Sequence, residues 1–151
     1  MKNQSNHNNG IDSNIIYSDN KNTNIKAKIL EPTDDNIRIC AENIKNGELV
    51  GIPTETVYGL AASALNPEAI QKIFSYKGRP HSDPIIIHVS SVKMSMDLLD
   101  IDSDTLALYE YLAAEYWPGP LTIILKNSNK VDRILNANTG FIGIRIPNNS
   151  V

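Results

Sequence analysis

Four short, strongly apolar segments alternate along this chain with segments of helical periodicity, and this alternation restricts the fold more than any other feature. The apolar segments are rich in isoleucine, leucine and valine, which is typical of strands buried in a sheet. These predicted strands are residues 49–52, 85–89, 121–125 and 141–146. The predicted helices are residues 34–45, 67–77 and 104–116. Strands interleaved with helices indicate an α/β layer fold.

The ends of the helices are marked by residues that cap free backbone groups. Thr33 and Asn66 precede the first two predicted helices as N-caps, and Gly47 follows the first helix as its stop. In the third helix one face is formed by Leu108, Leu112 and Tyr116, at positions i, i+4 and i+8.

The first 24 residues are rich in asparagine and lack apolar periodicity, so we expect residues 1–24 to form a disordered tail. Such a segment cannot bury enough apolar surface to offset the conformational entropy lost on ordering. Residues 25–151 have the size of one ordinary domain, and 41% of the chain is hydrophobic, which suffices for a core.

Charge, cysteine content and hydropathy restrict the class of protein. The net charge of −3 does not favour nucleic-acid binding by the chain as a whole, although a local basic cavity is compatible with it. The single cysteine, Cys40, cannot form an internal disulfide, and its place on the apolar face of the first helix predicts a packing role. Neither a membrane helix of roughly 18 apolar residues nor a signal peptide is recognisable, so we expect a cytoplasmic protein.

The loop after the first predicted strand gathers polar side chains where open α/β sheets bind ligands. Its residues are Pro53-Thr54-Glu55-Thr56-Val57-Tyr58-Gly59. Two hydroxyls, a carboxylate and a flexible glycine could form part of a binding site. A proline-led turn in which a threonine caps a helix is the alternative, and the spacing alone favours it slightly.

A second polar loop separates the second helix from the second strand. Its residues are Lys77-Gly78-Arg79-Pro80-His81-Ser82-Asp83-Pro84. Arginine can hold a phosphate or carboxylate with two parallel hydrogen bonds, and lysine supplies a point charge. A solvated turn is the alternative.

Two further polar residues lie within apolar strands. His88 is either a hydrogen-bonded core residue or a ligand-binding one. Arg145 lies between Ile144 and Ile146, and because it cannot lose its charge it needs an anion or strong acceptors, in a salt bridge or a ligand site. With the two loops, these residues predict a cavity suited to a small anionic ligand and a polyphosphate. The chain contains no glycine-rich phosphate loop of the standard kinds.

Four motifs, in this order along the chain, resemble the signatures of the YrdC/Sua5 family. They are residues 53–60, 77–88, the W-P-G-P-L-T stretch 117–122 and the I-R-I-P stretch 144–147. The resemblance spans residues 25–150 and implies a twisted mixed sheet with flanking helices around a basic cavity. It also implies synthesis of L-threonylcarbamoyl-AMP from L-threonine, bicarbonate and ATP, with Mg²⁺ accompanying the ATP. Partner threonylcarbamoyl-transferase proteins would then pass the threonylcarbamoyl group to an adenosine of tRNA.

The resemblance implies a role for each of ten residues and no covalent intermediate. L-Threonine would be bound by Thr56, His88 and Arg145. ATP would be bound by Lys77, Arg79, Asp83 and the backbone of Phe141. The pocket would be shaped by Thr54, Glu55 and Tyr58.

The sequence departs from the family pattern at two places. Asp83 stands where the family usually has asparagine, and a carboxylate there repels phosphates unless a cation bridges them. The family continues beyond the V-R-x-P strand to a Ser-Ala-Asn motif, whereas this sequence stops at Val151, so we expect a domain that lacks the family's C-terminal part. This leaves a second hypothesis, a non-catalytic nucleotide-binding protein whose partner is tRNA or double-stranded RNA. A third is a carbamoyl-AMP-forming relative of the hydrogenase-maturation type.

Overall fold

A computed structural model describes residues 27–151, and the predicted disordered tail, residues 1–24, lies outside the described residues. The helices are α1 (Asp34–Lys45), α2 (Pro67–Lys77), α3 (Val92–Met96) and α4 (Ser103–Tyr116). The strands are β1 (Val50–Ile52), β2 (Gly59–Ala61), β3 (Ile87–His88), β4 (Ile123–Lys126) and β5 (Phe141–Arg145). Between residues 27 and 151, no helix is long and apolar enough to cross a membrane.

The first two helices begin at the predicted caps. The Thr33 hydroxyl accepts a hydrogen bond from Asn36 N at 3.3 Å, and Asn66 Oδ1 accepts one from each of two backbone N–H groups in the first turn of α2, both at 3.1 Å. Gly47 follows α1 with a φ of +79°, a conformation that favours glycine. Cys40 in α1 is half-buried and the helix has no fully buried residue, so its apolar face packs less tightly than predicted.

The strands form two small sheets. β1 and β2 are an antiparallel pair, connected by residues 53–58. In the second sheet β5 is the central strand, parallel to β3 and antiparallel to β4. This confirms the predicted mixed α/β architecture. The strand predicted over residues 85–89 pairs in register with β5 only at Ile87 and His88, because the Ile85 N–H donates to Leu135 O at 3.0 Å instead.

One face of the second sheet packs into the core. Ile142 and Ile144 of β5 are at most 1% exposed, and they belong to one apolar cluster with Ile70 and Phe74 of α2. Burial of this kind stabilises the fold by about 25 cal/mol for each Å² of apolar surface. The core therefore covers one face of β5 and leaves the other face available for a site.

Helix α4 buries a face different from the predicted one. Leu108 is 59% and Tyr116 is 51% exposed, so the face predicted from their spacing is not the packed one. The residues that pack are Tyr109, Ala113 and Trp117. The Tyr109 ring lies edge-on to Trp117 with centroids 6.0 Å apart, and its hydroxyl is hydrogen-bonded to Ser95. The helix carries apolar residues on nearly all sides, and its tertiary partners decide which side is buried.

The opposite face of the second sheet is largely open within the described part of the chain. Ile124 is 66% and Phe141 is 52% exposed. Gly143 lies opposite Ile124 in the pairing of β4 with β5, and a Cβ on Gly143 would lie only 3.0 Å from the Thr122 methyl carbon, so a side chain has little room there. Side chains alternate between faces along a strand, so Arg145 shares this open face with Gly143 and Phe141.

Candidate functional site

The loop of residues 53–58 is organised by a single hydroxyl group. Thr54 Oγ1 donates to Val57 O at 2.6 Å and accepts from the backbone N–H groups of Thr56 and Val57 at 3.2 and 3.1 Å. Strand β2 follows this loop, so the alternative of a helix-capping threonine is wrong. The Thr56 hydroxyl lies 3.0 Å from Thr54 Oγ1, so the two side chains are within hydrogen-bond distance of each other. Thr56 Oγ1 also faces the Arg145 guanidinium as an acceptor.

Arg145 lies at the end of β5, and its side chain is only 9% exposed. Its Nε donates to Gly119 O at 3.0 Å, and its Nη2 lies 2.6 Å from Glu55 Oε2. Thr56 Oγ1 lies 3.4 Å from Nη1 and 3.3 Å from Nη2, longer than the usual separation of about 2.9 Å. The guanidinium is thus fixed at one edge and has capacity for another acceptor at Nη1.

The turn of residues 117–120 presents the carbonyl that holds Arg145. Gly119 N donates to Ile146 O at 2.8 Å, and the Trp117 indole N–H donates to Leu121 O at 2.7 Å. A Cβ on Gly119 would lie 2.5 Å from Tyr116 O, so no larger residue fits without a shift of the backbone. Sequence reasoning missed the contribution of Gly119, although a glycine between two prolines signals a turn with special backbone requirements.

Glu55 is an ionised partner of Arg145. The hydrogen bond from Arg145 lowers the pKa of the Glu55 carboxyl below its usual 4.5, and the backbone N–H groups of Glu55 and Asn148 act in the same direction. Its side chain is 21% exposed. The pair therefore carries opposite charges at neutral pH while a part of the carboxylate stays accessible.

His88 lies beside Arg145 because the two residues are register partners in the parallel pair β3–β5. Desolvation of the ring lowers the pKa of His88 below its usual 6.5, and the positive charge of Arg145 acts in the same direction. A hydrogen bond with the backbone of Ile86 and the charge of Glu55 oppose this shift. The imidazole is therefore neutral at pH 7 and can serve either as a hydrogen-bond donor or as an acceptor.

The predicted ATP-binding cations lie in a separate loop after α2. Lys77 is exposed in the last turn of the helix, and Gly78 ends it with a φ of +58°. Arg79 braces its own loop, because its Nε donates to Asp83 O at 3.1 Å and its Nη2 to Pro84 O at 2.7 Å. Its Nη1 makes no hydrogen bond with residues 27–151 and remains available for a ligand.

The described contacts bring together one part of the predicted site. The residues that converge are Thr54, Glu55, Thr56, His88 and Arg145. Phe141 begins the strand that Arg145 ends, so their Cα atoms are separated by about 13 Å at the usual rise per residue. Tyr58 is 82% exposed. A continuous basic cavity that joins this cluster to Lys77 and Arg79 is not shown by residues 27–151.

A cavity of about 620 Å³ lies elsewhere, between the start of α2 and the loop that connects β4 with β5. It is lined by Leu65, Pro67, Asn127 and residues 129–133, and none of the predicted site residues borders it. The polar groups of the Arg145 cluster, rather than the size of a cavity, identify the candidate site.

Comparison with known proteins relates the chain to one family. The family model of the Sua5, YciO and YrdC proteins, described as telomere recombination, matches residues 42–151. A threonylcarbamoyl-AMP synthase of Pyrococcus abyssi is 43% identical over 111 residues, and one of Bacillus subtilis is 34% identical over 119 residues. These alignments cover 74% and 78% of this chain but 32% and 34% of the relatives. The chain thus spans about a third of the length of these curated relatives.

A solved structure supports the same relation at the level of the fold. The crystal structure of P. abyssi Sua5 complexed with L-threonine is similar with a TM-score of 0.71 and 42% sequence identity. The similarity covers 75% of this chain and 32% of that one. The small sheets and flanking helices described above therefore correspond to part of a larger known fold.

Proposed function

This chain belongs to the Sua5/YciO/YrdC family, and we propose that it acts in the synthesis of L-threonylcarbamoyl-AMP from L-threonine, bicarbonate and ATP. The observation that supports this most is the Arg145 cluster, in which a buried cation lies beside a hydroxyl and a neutral imidazole. These groups suit a small hydroxylated amino acid. The relatives are named as synthases, which favours an enzyme over a non-catalytic nucleotide- or RNA-binding protein.

L-Threonine binds, in this proposal, with its carboxylate on Arg145. The Nη1 group has only the 3.4 Å contact with Thr56 Oγ1, so a ligand oxygen can accept a stronger, charge-assisted hydrogen bond there. The Thr56 hydroxyl and the neutral ring of His88 then face the hydroxyl of the ligand. Thr54 and Tyr58 shape the loop that borders the ligand.

ATP binds, in this proposal, beside the loop after α2. The exposed ammonium of Lys77 and the Nη1 group of Arg79 meet the phosphates, and the backbone of Phe141 contacts the nucleoside. Asp83 would help to hold the Mg²⁺ that accompanies ATP, and this cation would offset the repulsion between the carboxylate and the phosphates. The Mg²⁺ would arrive with the ATP phosphates and offset part of their charge.

The chemistry requires positioning rather than a covalent enzyme intermediate. The amino group of L-threonine and bicarbonate form a carbamate with loss of water. A carbamate oxygen then attacks the α-phosphorus of ATP, and pyrophosphate leaves. The cluster contributes by holding the amino acid in one orientation, and the cations contribute by stabilising the charge that develops on the phosphates. The product passes to threonylcarbamoyl-transferase proteins that modify tRNA in the cytoplasm.

The direct test of this function is release of pyrophosphate from ATP by the folded protein. We expect release that requires both L-threonine and bicarbonate. The chain spans about a third of the length of its curated relatives. The assay is therefore run twice, on the chain alone and on the chain together with a polypeptide that corresponds to the rest of a relative. Absence of release in both settings contradicts the proposed activity.

Replacement of Arg145 by alanine separates a ligand-binding role from a structural one. Loss of charge-assisted hydrogen bonds worth about 1.5–3 kcal/mol is expected to weaken L-threonine binding by about 10- to 100-fold. ATP binding, measured by titration calorimetry, is expected to persist. Arg133→Ala, at an exposed arginine without an ion pair in the described residues, is the matched control. Equal weakening of L-threonine and ATP binding in Arg145→Ala would mean that Arg145 is a structural residue.

A further inference from the structure

The ion pair between Glu55 and Arg145 places a carboxylate at the position where the proposed function needs a free cation. An anion that occupied Arg145 completely would exclude the carboxylate of a ligand. The geometry is less restrictive, because Glu55 Oε2 contacts Nη2 at 2.6 Å while Nη1 has only the long contact with Thr56. Glu55 and a ligand carboxylate can therefore share the guanidinium.

Glu55 has capacity for a second partner as well. A carboxylate offers lone pairs on both oxygens, and Arg145 is the only cationic side chain that pairs with Glu55 among the described residues. The Glu55 side chain is 21% exposed, against 9% for Arg145, so the carboxylate is the part of the pair that a ligand reaches more easily. A cationic group can approach it without displacing the arginine.

The charges of the cluster select the kind of ligand. Arg145 is positive, Glu55 is negative because its pKa is lowered, and His88 is neutral because its pKa is lowered. A cluster without net charge attracts a simple carboxylate or phosphate weakly. It complements a zwitterion, because the ammonium and carboxylate groups of an α-amino acid lie about 3 Å apart, close to the separation of the ion pair itself.

We propose that Glu55 accepts the α-ammonium group of the amino acid and selects α-amino acids over carboxylic acids that lack it. This inference rests on the proposed function, because it places the ligand carboxylate on Arg145. With both ends of the zwitterion held, the nitrogen has one fixed position, and the ammonium group releases one proton to solvent before this nitrogen forms the carbamate. Glu55 is then a specificity-determining residue in addition to a neighbour of Arg145.

The test compares two ligands that differ only in the amino group. L-Threonine and (R)-3-hydroxybutanoate, which is L-threonine without its amino group, are titrated into the wild-type protein and into Glu55→Gln. Loss of a charge-assisted hydrogen bond is expected to weaken L-threonine binding at least about tenfold in Glu55→Gln. Binding of (R)-3-hydroxybutanoate is expected to stay unchanged or to become tighter. Glu110→Gln, at an exposed glutamate of α4, is the matched control and should alter neither affinity.

Two outcomes with the variant overturn the inference. Equal weakening of both ligands would mean that Glu55 only orients Arg145. Tighter binding of both ligands would mean that Glu55 competes with the ligand carboxylate. A wild-type protein that binds neither ligand overturns the proposed function and this inference together, whereas the two outcomes above leave the proposed function standing.

A measurement on the wild-type protein alone covers the case in which Glu55→Gln does not fold. Raising the pH through the pKa of the ligand ammonium group removes the positive charge of L-threonine but leaves (R)-3-hydroxybutanoate unchanged. We expect the preference for L-threonine to fall at least about tenfold across this titration, as the charge-assisted bond is lost. A preference that stays constant while the ammonium group is titrated contradicts the role of Glu55.

Discussion

Arg145 shows at the scale of single residues how a buried charge organises its surroundings. Its three acceptors are a carbonyl, a carboxylate and a hydroxyl, on Gly119, Glu55 and Thr56. A guanidinium cannot lose its proton at neutral pH, and burial of an unpaired ion costs several kcal/mol. One arginine in β5 therefore joins the loop of residues 53–58 to the turn at Gly119.

Protonation of Glu55 at acid pH should lower the free energy of unfolding. Its pKa is lower in the folded protein than the usual 4.5, so the unfolded chain binds more protons in this range and the stabilisation is lost as the pH falls through the folded pKa. Urea unfolding of the wild-type protein and of Glu55→Gln between about pH 6 and pH 3 checks this. The difference in the free energy of unfolding should be largest near pH 6 and should shrink towards pH 3. A difference that does not change with pH contradicts the assignment.

Single residues of the site were predictable to the extent that local sequence defines them. The residues alone slightly favoured a capped turn for Thr54 and Thr56 and left Arg145 open between a salt bridge and a ligand site, so the family motifs were needed to predict a binding loop. The pairing of Arg145 with Glu55 and with the Gly119 carbonyl was not predictable from the residues alone. These contacts join segments far apart in the chain, and only the folded topology brings them together.

At the scale of elements, helix starts were more predictable than helix orientation. A cap such as Asn66 satisfies backbone groups of its own first turn, so neighbouring residues contain the whole signal. The buried face of α4 depends on Ser95 and Trp117, which contact Tyr109 from outside the helix. The five-residue helix α3 was not predicted, because so short a segment has no periodicity to recognise.

The turn at Gly119 should tolerate no side chain. In Gly119→Ala the new Cβ would lie 2.5 Å from Tyr116 O, so the backbone must shift and the Gly119 carbonyl must move relative to Arg145 Nε. We expect a loss of about 1–3 kcal/mol in the free energy of unfolding, together with weaker L-threonine binding. Chemical denaturation and calorimetry measure the two effects.

Gly51 in β1 offers the matched control for this substitution. A Cβ on Gly51 would meet nothing within 4 Å, so Gly51→Ala should change the free energy of unfolding by less than about 1 kcal/mol. Equal changes in the free energy of unfolding of the two alanine variants would mean that Gly119 does not lie this close to Tyr116 O in solution.

At the scale of the whole molecule, the second sheet is packed on one face and open on the other within residues 27–151. Ile144 is 0% exposed, whereas Ile124 on the neighbouring strand is 66% exposed. The two faces differ because α2 and α4 contribute apolar side chains to one of them only. The candidate site lies at one end of the open face, where residues 53–58 contact Arg145.

Replacement of isoleucine by alanine should therefore lower the free energy of unfolding more on the packed face than on the open face. Ile144→Ala removes fully buried methyl groups and should lower the free energy of unfolding by about 2–5 kcal/mol. Ile124→Ala changes an exposed side chain and should cost less than about 0.5 kcal/mol. Equal costs in thermal or chemical unfolding would show that the open face is covered in solution by residues outside those described.

The hydrogen bond between Arg145 and Thr56 joins residues that are 89 positions apart, and this separation has a consequence for biosynthesis. A ribosome adds about 5–20 residues per second, so the loop emerges on the order of ten seconds before its arginine is made. During that interval the loop has no countercharge and the site does not exist. A metabolite that binds this site can therefore bind only chains that have already folded. By binding the folded state alone, it lowers the fraction of unfolded chains.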